Sequence, residues 1–298
     1  MIVLGLERGT VKLQAYNPTW AEVGQVFCDR IKGALGTLAI DIAHIGSTSV
    51  YGLTAKPIID IAVAVHSFDP QVITLMEHAG FWHRPANDDE NQLFFVEGKG
   101  ERRSAHIHVV RYMSMEWRNY LNFKAYLTAF VEVRDAYAAL KRQLAERFPN
   151  DRVAYTEGKA QFITYHLRKA MVWSYLGKQI QGEVDRPIGY LHTKDDKQLI
   201  YPINYGYIPG VLGGDGEELD VYFLGEVRPI NSFGGKVIAI VHRSNDVEDK
   251  LVACPIDRNF TAKEIAKSIY FQEKFYDTTV ETLEGQRLHI SNGENYDS

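Results

Sequence analysis

The hydrophobic pattern of this chain changes once along its length, at residues 176–182, and this change limits the folds that the chain can adopt. Before the change, helix-like stretches with a 3.6-residue period alternate with short apolar strands. After it, β-like segments follow one another at short spacing, separated by proline and glycine. Because 298 residues are enough for two domains, we predict two, at residues 1–176 and 182–298, in an α+β fold.

The amino-terminal half predicts a mixed α/β domain. Asn17-Pro18 and Asp69-Pro70 each place a capping residue and a first-turn proline at the start of an apolar helical pattern. The segment 57–65 is almost entirely apolar, which is typical of a strand buried on both faces. Helical periodicity over residues 133–148 and 156–176 predicts that helices end this domain.

The carboxy-terminal half predicts a small barrel or sandwich followed by a helix. Strands are expected over residues 219–224, 236–243 and 250–255, with turn-rich segments between them. Thr261 and Glu264 form the sequence signature of a capping box, so a helix is expected to begin there and to run towards Phe275.

Composition narrows the class of protein. The formal net charge of -5 disfavours a nonspecific nucleic-acid binder. Cys28 and Cys254 are far apart and lack metal-ligand spacing, which favours a reducing compartment without disulfides. No signal peptide or membrane-spanning apolar run is visible. We therefore predict a cytoplasmic protein without a membrane or nucleic-acid partner, and a homo-oligomer stays open.

Two acidic clusters carry the strongest chemical signal. They cover residues 215–220 and 246–250, and each lies at the end of an apolar, β-rich run. Either cluster alone is ordinary turn chemistry. Together they predict a site for a hard divalent cation, because Mg²⁺ and Mn²⁺ select oxygen ligands. Lys250 would then face the anion that the metal recruits.

The tyrosine-rich run 201–210 precedes the first cluster, and its phenol groups could pack in a sheet or donate to phosphate oxygens. Four segments together resemble the soluble, Mg²⁺-dependent inorganic pyrophosphatases. They are residues 184–187, the Tyr-Pro-x-Asn-Tyr-Gly-Tyr-Ile run, the Asp-Gly-x-x-Leu-Asp-Val run and the second acidic cluster. The resemblance covers about residues 182–277, and it implies a small β-barrel with a terminal helix.

The resemblance also implies a role for individual residues. The metal-binding residues would be Asp215, Asp220, Asp246 and Asp249. The catalytic residues would be Glu217, Asp220, Lys250 and Tyr205. The substrate-binding residues would be Arg186, Tyr205, Arg243 and Lys250, with Asp185 at the pocket edge. Glu217 stands where the family usually has Asp, and Arg186 or Arg243 would replace an arginine that is missing from its usual position.

The amino-terminal half contains a second candidate site. Its loop, Gly46-Ser47-Thr48-Ser49, follows a strand, and Lys56 and Asp60 come shortly after it. This arrangement resembles the nucleotidyltransferase superfamily, and implies a phosphate site formed by Gly46, Ser47, Lys56 and Asp60. The motifs Tyr16-x-Pro18-x-Trp20, Phe123-Lys124-x-Tyr126-Leu127 and Tyr155-Thr156-x-x-Lys159 are similar to those of the GrpB family.

Nucleotidyltransferases usually carry a second acidic residue two positions after the first. In this chain that position, two residues after Asp60, is occupied by Ala62. His106 and His108 share one face of a later strand and are candidate replacements, although a structural role is the more common one for a histidine on a strand. We expect Mg²⁺-dependent hydrolysis of pyrophosphate by the carboxy-terminal domain, with Mn²⁺ as an alternative ion and a nucleotide as an alternative substrate. The alternative function is phosphate or nucleotide binding by domains that have lost turnover.

Overall fold

The structure, a computed structural model, describes residues 4–98, 101–194, 197–213, 216–246 and 248–290. The chain divides into two compact units, Met1–Ala170 and Met171–Ser298. The division falls inside the last helix of the first half, a few residues before the predicted boundary. Val172 belongs to the core of the second unit, with Met171, Trp173 and Leu176 packed against that core.

The first unit is a mixed α/β fold. Its strands are β1 (Leu6–Glu7), β2 (Asp41–Ile45), β3 (Ile59–Val65), β4 (Trp82–His83), β5 (Gln92–Glu97), β6 (Arg102–Arg103) and β7 (Ala105–Arg111). Its helices are α1 (Thr19–Leu35), α2 (Pro70–His78), α3 (Met115–Ala129), α4 (Val131–Arg147), α5 (Arg152–Glu157) and α6 (Ala160–Trp173). Short 3-10 turns at Gly36–Leu38, Ser47–Ser49 and Pro85–Asn87 connect them.

A five-stranded sheet, in the order β2-β3-β7-β5-β4, forms the centre of the first unit. Strand β3 is antiparallel to β2 and parallel to β7, and Asp60 lies opposite His106 in that parallel register. The predicted double burial of β3 is confirmed, since all its residues except Asp60 are buried. The register therefore places the one carboxylate of β3 beside the imidazole of His106 on β7.

Two features of the first unit differ from the sequence expectation. Helix α3 was not predicted; Ser114 caps it by accepting a hydrogen bond from the Trp117 backbone N–H at 3.2 Å. The single helix expected over residues 156–176 is divided into α5 and α6. Gly158 follows α5 there, and its missing side chain leaves room for Leu144 of α4, which would otherwise lie 2.5 Å from a Cβ atom.

The second unit contains β8 (Gln179–Arg186), β9 (Leu191–Lys194), β10 (Lys197–Ile200), β11 (Asn204–Leu212), β12 (Glu218–Phe223), β13 (Ser232–Arg243), β14 (Lys250–Cys254), α7 (Ala262–Glu273), β15 (Thr278–Thr282) and β16 (Arg287–Ile290). Its main sheet has the order β14-β12-β11-β8-β13-β15-β16, and β13 also pairs with β14. That second pairing closes β14, β12, β11, β8 and β13 into a five-stranded barrel, which confirms the predicted fold class.

Helix α7 begins with the predicted capping box, in which Thr261 and Glu264 satisfy each other's backbone N–H groups. Its apolar face, including Ile265 and Ile269, packs into one of the two cores of this unit. Strands β15 and β16 follow α7, so within the described residues the helix is not the last element. No helix in the described part of the chain is long and apolar enough to span a membrane.

Candidate functional sites

A cluster of four polar side chains lies on the barrel strands β11, β12 and β14 and on the segment just before β14. The Lys250 ammonium donates to the Tyr205 hydroxyl at 2.8 Å, to Glu248 Oε2 at 2.7 Å and to Asp220 Oδ2. The Tyr205 hydroxyl also donates to Asp220 Oδ2. Three residues predicted for one site, Tyr205, Asp220 and Lys250, are thus in direct contact. We call these four residues the barrel cluster.

Strand pairing explains why these residues meet. Strand β12 lies between β11 and β14, antiparallel to the first and parallel to the second. Side chains alternate along each strand, so Asp220 shares a face with Tyr222, and Lys250 shares a face with Val252. Tyr222 and Val252 belong to the core that α7 covers. The barrel cluster therefore lies on the helix-covered face of the sheet.

Burial controls the protonation of the barrel cluster. Burial raises the pKa of Glu248 to about 7, with Lys250 opposing the shift and Asp220 adding to it. The pKa of the Tyr205 hydroxyl is also raised well above its usual value, first by burial and then by Asp220, so this phenol is a proton donor at neutral pH.

Arg186 of β8 lies beside this cluster. Its Nη1 donates to the Tyr201 hydroxyl at 2.7 Å, and its guanidinium lies 5.1 Å from the centre of the Tyr205 ring. The half-exposed Asp185 carboxylate is 3.6 Å from Arg186 Nε, and burial raises its pKa against the opposing charge of Arg186. The predicted substrate contact Arg186 is thus within reach of the predicted catalytic tyrosine.

Other predicted residues have different partners. Asp249 is next to Lys250 in the chain but has a different partner: its Oδ2 is hydrogen-bonded to His242 Nδ1 at 2.9 Å. Arg243 Nη1 donates to Asp246 Oδ2 at 3.0 Å, while its other nitrogens contact the fully buried Glu273. These contacts hold Arg243 inside the protein, and they place Asp246 and Asp249 beside basic side chains other than Lys250.

Two more predicted residues, Asp215 and Glu217, precede β12 in the sequence. Glu217 is exposed. Asp215 lies outside the described residues. Among the residues that the structure describes, no group of three or more His, Cys, Asp or Glu side chains is arranged to hold a metal ion. The predicted metal roles therefore stay predictions.

The first unit contains a cavity of about 630 Å³, lined by the four residues predicted for the phosphate site. Gly46 has a φ of 68°, and a Cβ atom there would lie 2.5 Å from Asp60 Oδ2, so only glycine lets this loop approach the carboxylate. Ser47 accepts a hydrogen bond from Lys141 Nζ at 3.0 Å. The predicted candidate residues are thus brought together around one cavity.

Asp60 is paired with His106 across the parallel strands. His106 Nδ1 is 3.1 Å from Asp60 Oδ1. Burial alone would raise the pKa of Asp60, but the hydrogen bond and charge of His106, with His108 and Lys56, lower it overall. Asp60 therefore stays ionised, and Ala62 on the same strand leaves it without a neighbouring carboxylate.

His108 faces the same cavity. Its Nδ1 lies 3.1 Å from the Tyr120 hydroxyl and 3.2 Å from Gln92 Oε1. Burial lowers the pKa of His108 to about 4, against the charge of Asp60 and with the help of His106. His108 is therefore neutral at physiological pH.

Comparisons with known proteins agree with the resemblances to the GrpB family and to the inorganic pyrophosphatases. The family model "GrpB protein" matches residues 10–169, which is more than half of the chain. The chain belongs to the GrpB family. It is 32% identical over 167 residues to the Glutamate-rich protein GrpB of Alkalihalophilus pseudofirmus, covering 54% of this chain and 96% of that protein. A crystal structure of GrpB from Enterococcus faecalis matches with a TM-score of 0.52 and 28% identity, over 55% of this chain and 99% of that one.

The family model "Inorganic pyrophosphatase" matches residues 176–282, carboxy-terminal to the GrpB domain. An inorganic pyrophosphatase of Helicobacter pylori is 31% identical over 87 residues, which is 26% of this chain and 49% of that protein. The chain thus spans about half the length of this pyrophosphatase relative. The predicted fusion of a GrpB domain and a pyrophosphatase domain is confirmed.

Sequence reasoning missed two buried residues in these sites. Glu248 was passed over in favour of Asp249. Extending the strand alternation two residues back from Lys250 would have put Glu248 on the side of Lys250, and the two side chains are in contact at 2.7 Å. Lys141 is only 2% exposed, and it lies four residues after Tyr137 on the buried face of α4. A lysine within an apolar helical stripe was the available signal.

The buried His108 is expected to make the stability of the GrpB domain depend on pH. His108 binds a proton near pH 6.5 when unfolded but only near pH 4 when folded. As pH falls from 6.5 to 4, the unfolded chain takes up a proton that the folded chain refuses, so stability falls. A shift of this size corresponds to roughly 3 kcal/mol.

We expect His108→Gln to flatten the loss of stability between these pH values. Urea unfolding at several pH values measures this, followed by tryptophan fluorescence, because Trp20, Trp82 and Trp117 lie in this domain. His78→Gln, which removes an exposed histidine, serves as the control and should keep the wild-type slope. An unchanged slope in His108→Gln would contradict the assignment.

Proposed function

We propose that the pyrophosphatase domain hydrolyses inorganic pyrophosphate to two phosphates in a Mg²⁺-dependent reaction. The observation that carries the proposal is the barrel cluster, in which Lys250 contacts Tyr205, Asp220 and Glu248 within the region that matches the pyrophosphatase family. In the reaction, the oxygen of one water bonds to one phosphorus as the bond from that phosphorus to the bridging oxygen breaks. The bridging oxygen stays with the second phosphate, and the protons of the water pass to the products or to solvent.

The chemistry of the donors supports a hard cation. Asp220, Glu248 and Asp185 supply only oxygen, which Mg²⁺ prefers over softer metals. Burial raises the pKa of both Glu248 and Asp185, and Asp220 raises each further. Removal from water and the charge of Asp220 thus outweigh Lys250 and Arg186, so an added cation would stabilise the ionised forms. The three carboxylates do not form a three-ligand group in the described residues; Asp220 is the proposed ligand among them, and Asp215, Asp246 and Asp249 stay proposed ligands from the family resemblance.

Bound Mg²⁺ would supply charge neutralisation and a water of lowered pKa. The protein's own groups complete the site. Arg186 and Lys250 are the proposed donors to phosphate oxygens, with the protonated Tyr205 hydroxyl as a further donor. Lys250 would exchange one of its present acceptors for the phosphate. Glu217 is the proposed proton acceptor from the family resemblance. Glu248 is a second candidate, because a carboxyl with a pKa of about 7 exchanges protons efficiently at neutral pH.

We assign Arg243 a supporting role instead of the predicted substrate contact. Its guanidinium is 3% exposed and is engaged by Glu273 and Asp246. Removing this arginine should therefore act on the stability of the barrel, and Arg186 is left as the arginine that contacts substrate.

Phosphate release from pyrophosphate by the full-length chain tests the proposal. We expect release with Mg²⁺, weaker or equal release with Mn²⁺, and none with EDTA. ATP assayed in parallel distinguishes an inorganic from a nucleotide substrate. Binding of pyrophosphate without any release would support the alternative function, a binding domain that has lost turnover.

A further inference from the structure

The cavity of the GrpB domain has a surplus of positive charge. Five basic side chains line it. Lys56 comes from the loop before β3, and the others come from α3, α4, α5 and the turn after α5: Lys124, Lys141, Arg152 and Lys159. Two carboxylates, Asp60 and Glu116, face them, and Asp60 is already paired with His106. Buried cations in excess of anions are costly unless a ligand neutralises them.

Three of these lysines lie close together. Lys56 Nζ and Lys159 Nζ are 5.3 and 4.6 Å from the centre of the same Tyr155 ring. Lys141 Nζ donates to the Ser47 hydroxyl in the loop 46–49 and also to the Thr54 carbonyl. Burial lowers the pKa of Lys56 to about 8, and the charges of Lys159 and Arg152 lower it further. Each cation is therefore destabilised by its neighbours.

A second, independent observation concerns His106, which also lines this cavity. His106 is 7% exposed, and its Nδ1 is fixed by Asp60. Its other ring nitrogen, Nε2, is buried without a hydrogen-bond partner. A buried polar atom in this state is costly, and its common explanation is an absent ligand atom.

We propose that this cavity binds a di- or triphosphate group through Lys56, Lys141 and Lys159, with His106 Nε2 as a further contact, and that binding needs no divalent metal. The lysines supply the neutralisation that a metal would otherwise give. Asp60 is held by His106, and Ala62 removes the second carboxylate of a metal pair. The proposal is independent of hydrolysis by the pyrophosphatase domain, which is a separate site.

Calorimetric titration of the full-length chain in EDTA tests the proposal. The probes are inorganic pyrophosphate, inorganic triphosphate, ADP and ATP. We expect at least one to bind, and Lys159→Met to weaken that binding by about tenfold or more, as for loss of a charge-assisted contact. Lys12→Met, which removes an exposed lysine of the same domain, should change affinity by less than about twofold.

The probes also separate two sources of the same chemical group. Equal binding of the inorganic and nucleoside compounds identifies an inorganic phosphate ligand, and preference for ADP or ATP identifies a nucleotide. Both outcomes support the proposal. Failure of all four to bind in EDTA overturns it. Binding that Lys159→Met leaves unchanged also overturns it, because the ligand then occupies another site.

Stability measurements distinguish a ligand site from a structural role. Lys159→Met should leave the melting temperature of the unliganded protein unchanged or higher, because it relieves repulsion, and should reduce the shift caused by ligand. His106→Asn keeps an N–H to donate to Asp60 but lacks the outer nitrogen. It should weaken binding by about tenfold without unfolding the domain. A lower melting temperature with unchanged affinity in both variants would contradict the assignment.

Discussion

Replacing Asp220 with asparagine is expected to reduce Mg²⁺-dependent phosphate release from pyrophosphate by about 100-fold or more, the scale of losing one preorganised charged contact at a reacting group. Asparagine has nearly the same shape and can still accept from the Tyr205 hydroxyl. It lacks the negative charge that pairs with Lys250 and that would attract a cation. The variant therefore separates charge from packing at the centre of the barrel cluster.

The measurement has two readouts. Steady-state phosphate release gives the loss of activity, and thermal unfolding with and without Mg²⁺ reports on the ion directly. We expect Mg²⁺ to raise the melting temperature of the wild type and to have no such effect on Asp220→Asn. Asp257→Asn, an exposed aspartate in the turn after β14, is the matched control and should retain both. Full activity in Asp220→Asn would refute the metal assignment.

Replacing Arg243 with methionine is expected to destabilise the barrel by about 3 to 5 kcal/mol, the usual cost of leaving one partner of a buried ion pair uncompensated. Glu273 is fully buried, and its carboxylate accepts from Arg243 at 3.0 and 2.7 Å, from Thr278 at 2.8 Å and from the Tyr222 hydroxyl. Without the guanidinium, this carboxylate must remain charged in an apolar core or take up a proton.

A double-mutant cycle identifies the source of that loss. Arg243→Met combined with Glu273→Met removes both charges and should be less destabilised than the arginine variant alone. Arg287→Met is the control, because Arg287 pairs with Glu281 but its side chain is 64% exposed. It should cost less than about 1 kcal/mol. Equal losses in the single and double variants would show that packing, not charge pairing, governs this position.

Local rules predicted much of the fold. The capping box at Thr261 and the proline starts near residues 18 and 70 define helix ends by contacts within one turn. The apolar run of β3 predicted its burial. Helix α3 escaped prediction because its apolar residues form a weak stripe, although Ser114 supplied a capping signal. The division of α5 from α6 depends on Leu144 of another helix, which no local pattern contains.

In the sites, too, residues within local motifs were predicted, and contacts between residues distant in sequence were not. Tyr205, Asp220 and Lys250 were predicted because they lie in distinctive motifs. Extending the alternation of β14 two residues back from Lys250 would have selected Glu248 over Asp249. The partner of Arg243 is 30 residues away. That pairing depends on how α7 packs against the barrel, which spacing does not encode. Lys141 likewise reaches Ser47 across 94 residues.

The closure of the barrel has a consequence for how this chain behaves at high concentration. Since β13 pairs with β14, the five barrel strands form a closed ring, and among the described residues the sheet ends at β16. Strand β16 is only four residues long, and Arg287 and His289 are exposed along it. Short length and basic side chains discourage another chain from adding a strand. This edge thus protects the domain against strand-to-strand aggregation.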